Sequence, residues 1–153
     1  MNMLAITIRE GKGPAEALQL QTVARPTVPP GCILIRVHAA GVNRPDIMQR
    51  AGHYPPPPGA SPILGLEVAG EVAELGEGAA RWRVGDAVTA LLAGGGYAQY
   101  AVVDARHALP IPPGLDFIQA AGLPETVFTV WASVFERGLL RAVNRIVPPA
   151  GNS

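Results

Sequence analysis

Asn43 and Asp46, three residues apart in Gly41-Val42-Asn43-Arg44-Pro45-Asp46, are the first pair in this chain whose types could do chemistry. An amide and a carboxyl at that spacing can hydrogen-bond a polar ligand. They can equally cap a helix, because their side chains accept its orphan N–H groups. Further on, Gly52-His53-Tyr54 precedes four consecutive prolines, Pro55–Pro58. A tyrosine beside so stiff a loop can stack on a flat ligand through its ring, and it can equally serve loop packing. Thr126, Thr129 and Ser133 share one side of a helical repeat, a narrow hydroxyl stripe suited to packing as a semi-polar face.

Other reactive types are scarce. His38, His53 and His107 are single histidines with no partner at metal-ligand spacing. The one cysteine, Cys32, sits in the apolar run Cys32-Ile33-Leu34-Ile35 and reads as a small buried hydrophobe. A lone cysteine rules out an intramolecular disulfide and any multi-cysteine zinc site. In Gly65-Leu66-Glu67-Val68-Ala69-Gly70 and Val84-Gly85-Asp86 the glycines mark bulges and turns, and Asp86 is expected to bond its own turn backbone.

The elements that must position these residues are mostly strands. Leu4–Ile8 and Leu18–Val23 read as strands flanking Gly11-Lys12-Gly13-Pro14, and Arg25–Gly31, with three prolines, is a loop. Ile33, Ile35 and Val37 alternate with Leu34, Arg36 and His38, the period of a strand with one strongly apolar face. Asn43–Arg50 is expected to form a short helix ended by Gly52. Further strands are expected over Leu66–Leu75, Ala87–Leu92 and Tyr97–Val103. Strand after strand at short spacing predicts a small antiparallel barrel or sandwich. From Pro124 and Glu125 the period becomes helical: Val127, Val130, Trp131, Val134 and Phe135 form one wide apolar face, with Gly138 as the stop.

Composition narrows the functions. The 153 residues are 48% hydrophobic and 16% charged, with 18 glycines and 16 prolines, which suits short strands and tight turns. Twelve basic residues balance twelve acidic ones, so nothing points to a nucleic-acid or anionic-membrane partner. The N-terminus lacks the pattern of a signal peptide, and no apolar run is long enough to span a bilayer. A cytoplasmic location is the expectation.

Five motifs in one order then carry a resemblance. Ala-Gly-Val-Asn-Arg-x-Asp, Gly-x-Tyr-Pro-Pro-Pro, Leu-Gly-Leu-Glu-Val-Ala-Gly, Val-Gly-Asp-x-Val and Gly-Gly-Gly-Tyr-Ala-Gln-Tyr resemble the medium-chain dehydrogenase/reductase superfamily. The likeness is to its quinone oxidoreductase branch, p53-inducible type, and runs from about Met3 to Gly138. It implies a mainly β, GroES-like barrel over residues 1–124 and a helix over 125–138 that leads toward a cofactor domain, whereas residues 139–153 depart from it and read as an aberrant, flexible tail. A Rossmann half is expected to be absent, because no strand with a glycine-rich turn follows Gly138. The expectation is therefore of a truncated enzyme.

Zinc alcohol dehydrogenases of the same superfamily hold their metal through a cysteine near the position of Asn43 and through the histidine of a Gly-His-Glu motif. Here that motif reads Gly65-Leu66-Glu67, and leucine has no lone pair to offer. The resemblance thus implies zinc-independent, NADPH-dependent reduction of quinones, with no metal. Asn43, Asp46 and Tyr54 would line the quinone cleft, and Asn43 and Thr129 would flank the nicotinamide. The isolated chain is expected to bind NADPH very weakly and to self-associate, as a homo-oligomer or otherwise, through the Val127–Phe135 face. A zinc-free enoyl reductase is the alternative enzyme. A non-catalytic remnant that binds a partner through its helix, and a co-chaperonin-like module, are the alternatives outside catalysis.

Overall fold

The computed structural model describes residues 1–141. Among the described residues seven strands form two sheets. β1 (Asn2–Ile8) and β2 (Leu18–Ala24) make a two-stranded ribbon. β3 (Cys32–Ala40), β4 (Glu67–Leu75), β5 (Ala87–Leu91), β6 (Tyr100–Asp104) and β7 (Ala108–Pro110) make a five-stranded sheet in the order β6-β3-β4-β5-β7. Every pairing among the described residues is antiparallel. A bridge between Ala5 and Ala98 joins ribbon to sheet, and the sheet curls into a half-barrel.

The main core lies on one face of the larger sheet. Ile33 and Ile35 of β3, Val68 and Val72 of β4 and Val88 and Ala90 of β5 pack there with Trp82. These are the alternate positions of each strand, as a period of two requires. Trp82 is anchored by its indole N–H, which donates to the Ala105 carbonyl at 2.8 Å. Leu34, on the opposite face of β3, is also fully buried, so that strand is covered on both sides at its start. Cys32 is only half-buried, because it stands at the strand's first position next to the Gly31 turn.

A smaller core backs the sheet. Ala69 meets Ala120 and Ala121 of α2 (Phe117–Ala121), a helix absent from the sequence expectation. Small side chains on both partners let the helix approach closely. Asp116 caps it: its carboxylate accepts from the Gln119 N–H at 2.8 Å, and the Asp116 N–H donates to the Gln119 side chain at 3.1 Å. The Thr89 hydroxyl lies within 2.8 Å of the Ala120 carbonyl and 3.1 Å of the Val68 carbonyl, tying helix to sheet. His38 stacks on Phe117 with ring centroids 4.4 Å apart, a packing role.

The final helix differs from expectation in form. α3 (Pro124–Val130) runs seven residues and then widens into a π-helical stretch, Trp131–Arg137. Gly138 ends it as expected, with φ −77°, and the left-handed backbone falls on Leu139 instead. No helix among the described residues is long and apolar enough to cross a membrane. Most of the tail expected over 139–153 lies outside the described residues.

Candidate functional site

The site grows from two loops and one strand start. β3 ends at Ala40, and Gly41-Val42 carries the chain to Asn43, which enters α1 (Arg44–Arg50) with extended backbone. Pro45 in the first turn needs no N–H there, and Asp46 occupies the third helical position. From that position the Asp46 carboxylate accepts the Asn43 backbone N–H at 2.8 Å, the reciprocal half of a capping box. It also accepts the Gly65 N–H at 3.1 Å and the Tyr97 hydroxyl at 3.0 Å. Asp46 is 2% exposed, so these three donors replace water almost completely.

Tyr97 is delivered by the Gly94-Gly95-Gly96 turn. Gly95, Gly96 and Tyr97 donate their backbone N–H groups to the carbonyls of Ile63, Gly65 and Leu64 at 2.7–3.0 Å. Two backbones meet here, and only glycine permits it: Gly65 has φ +103°, and a Cβ at Gly65 would lie 2.7 Å from the Gly96 Cα. Burial, helped by the charge of Asp46 and the hydrogen bond to it, pushes the Tyr97 phenol well above its usual range.

Glu67, the first residue of β4, forms the other half of the network. It is 2% exposed. One carboxylate oxygen accepts the Asn43 side-chain N–H at 2.8 Å, and the other accepts the Glu125 backbone N–H at 2.9 Å. Gly41 leaves room for this carboxylate, since a Cβ there would stand 2.6 Å from the Glu67 Cδ. The Glu125 carboxyl is raised above the ordinary 4.5 by burial and then by the charges of Glu67 and Asp46.

Asn43 and Asp46 are therefore brought together. Glu67 joins Asn43 to the first turn of α3, and Thr129 lies one turn beyond Glu125 on the same side of that helix, exposed. Tyr54 stands apart, beyond the C-terminal end of α1, roughly 10 Å of helix from Asn43. It is 44% exposed, with no hydrogen bond to either residue. Beside the network opens an apolar pocket of about 490 Å³, lined by Ile6, Leu18, Leu20, Val42 and Tyr97 among others. Among the described residues no three His, Cys, Asp or Glu side chains group to hold a metal ion. Glu67 and Tyr97 are the residues that sequence reasoning did not place in the site. Glu67 stood inside a recognised motif, but nothing local pointed to its partners.

Residues 29–113 match the alcohol dehydrogenase GroES-like domain. The chain belongs to that family. Similarity to full-length members of the medium-chain dehydrogenase/reductase superfamily extends over nearly all of this GroES-like chain. It is 36% identical over 142 residues to quinone oxidoreductase of Rattus norvegicus, across 92% of this chain and 43% of that protein. The human synaptic vesicle membrane protein VAT-1 homolog-like structure superposes with a TM-score of 0.83 at 32% identity, across 92% of this chain and 45% of that one. The CurK enoyl reductase structure gives 0.77 at 25% identity, across 88% and 42%. The GroES-like chain thus spans less than half the length of these relatives, and what it shares with them is the GroES-like domain.

Proposed function

We propose that this chain is the substrate-side domain of a zinc-independent, NADPH-dependent quinone oxidoreductase of the cytoplasm. The observation that carries the proposal is the state of Glu67. Both its oxygens are committed to N–H donors, Asn43 on one side and Glu125 on the other, and Leu66 beside it offers no lone pair. A set with an amide donor, a leucine and a doubly occupied carboxylate suits hydrogen bonding to a ligand and fits a catalytic zinc poorly. A substrate reduced at such a site must accept hydride without a Lewis acid. Quinones do so because the product ring becomes aromatic.

The residues present fit the nicotinamide end of the cofactor. The half-buried Asn43 amide and the exposed Thr129 hydroxyl offer donors and acceptors to a carboxamide. NADPH, when bound, supplies the hydride. Asn43 and Thr129 would orient the rings, Tyr54 would flank the quinone from the far end of α1, and Asp46 would hold Asn43 and the Gly65 loop in place.

Binding tests this on the chain as it exists. Tetramethylbenzoquinone added to the ¹⁵N-labelled chain should shift the resonances of Asn43 and Thr129 saturably, equally well with and without a zinc chelator. An α,β-unsaturated thioester should shift them less. The likeness to an enoyl reductase makes the reverse order the informative failure: preference for the thioester would replace the quinone by an enoyl substrate.

A further inference from the structure

We propose that Glu67 is a positioning residue, whose carboxylate clamps the Asn43 amide and the first turn of α3 at one fixed separation so that Asn43 and Thr129 face a bound ring together. The inference rests on the reading of Asn43 and Thr129 as ligand-facing residues. Its geometry stands independently of that reading. The Glu67 side chain is 2% exposed and reaches two elements that have no other polar link to each other among the described hydrogen bonds. One oxygen fixes the amide plane of Asn43, at the N-terminus of α1. The second fixes the Glu125 N–H, four residues before Thr129 on α3. Since residues four apart share a helix face, setting the first turn also sets the azimuth of Thr129.

Packing alone gives a poor account of a carboxylate at this position. Taking a charge out of water is costly, and an apolar side chain of similar volume usually stabilises a core at least as well. A carboxylate becomes useful where two N–H groups from different elements must be held at a set distance, because its two oxygens are rigidly spaced. Gly41 belongs to the same device. Its missing Cβ is the space the Glu67 carboxyl fills.

Amide exchange and NMR on the ¹⁵N-labelled chain decide the matter. Glu67→Gln puts an NH2 where one of the two accepting oxygens stood, so the donor that faced that oxygen loses its acceptor. The expected result is exchange about tenfold faster at the Glu125 amide, displaced Asn43 side-chain amide resonances, or both, while Ile35 and Val88 keep their protection. Glu67→Asp keeps the charge but is one methylene shorter. It should show the same selective loss, and it carries the test if the glutamine variant fails to fold. With tetramethylbenzoquinone, either variant should bind about tenfold more weakly than the parent, or shift only one of Asn43 and Thr129. Unchanged Glu125 and Asn43 amides in a folded variant overturn the clamp. So does an equal loss of protection throughout the sheet, which would mark Glu67 as a stabilising residue only. If the parent chain itself ignores the quinone, the quinone reading falls, and the amide pattern alone decides the clamp.

Discussion

Asp46 shows how much one buried carboxylate can organise. Three donors from three places, the Asn43 N–H, the Gly65 N–H and the Tyr97 hydroxyl, converge on it. Removing one donor leaves a lone pair of a buried charge without compensation, so Tyr97→Phe is expected to cost about 1–3 kcal/mol in denaturant unfolding. The Tyr97 phenol should also ionise well above the ordinary range in an ultraviolet titration, and that delayed step should vanish in the variant. Glu125 carries the opposite kind of signature. Its carboxyl is raised, so the folded chain favours the protonated form. The stabilising contribution is complete below the ordinary carboxylate value and is lost as pH rises through the elevated one. Glu125→Gln should therefore raise the melting temperature at neutral pH and change it little in acid. Sequence revealed part of this arrangement. The Asn43–Asp46 spacing announced a cap, because a cap is local. Glu67 and Tyr97 could not be read in the same way: their partners lie 24, 58 and 51 residues away, at distances only the fold creates.

At the level of elements, strands were legible wherever alternation was clean, as at Ile33, Ile35 and Val37. Edges were less so. β6 begins at Tyr100, not Tyr97, because the Tyr97 and Gln99 backbones are spent on the β1–β2 ribbon and on Val37. α2 was missed although Asp116-Phe117-Ile118-Gln119 holds the capping-box spacing. At five residues it is too short for helical periodicity to show, and it persists through its cap, the Thr89 bond and the alanine contact. Asp116→Ala should accordingly cost about 1 kcal/mol of stability, measured by thermal or denaturant unfolding. Its amides should lose protection before those of β3 do.

For the molecule as a whole, the exposed face of α3 and its π-helical extension is the unusual feature. Val127, Val130, Trp131 and Phe135 stand between 42% and 55% exposed, and Trp131 and Phe135 pack on each other with centroids 5.0 Å apart. The helical spacing of these residues was plain in the sequence. That they would lie open was expected there only from the resemblance to a longer enzyme. Contiguous apolar surface of this kind drives association. The chain is expected to show mass rising with concentration in light scattering, and Trp131→Glu should shift that equilibrium toward monomer. A constant monomeric mass at high concentration would count against it.

The seam between ribbon and barrel has a mechanical consequence. Leu4 and Gln99 exchange hydrogen bonds across it, and Ile6 donates to the Tyr97 carbonyl, so the first strand grips the same short segment that presents the Tyr97 hydroxyl to Asp46. Tension on the amino terminus, from a tether or a fused cargo, would be delivered to that phenol before it reached the hydrophobic interior. The chain's leading end is in this sense a handle on its polar cluster, and where a tag is attached becomes a variable to control.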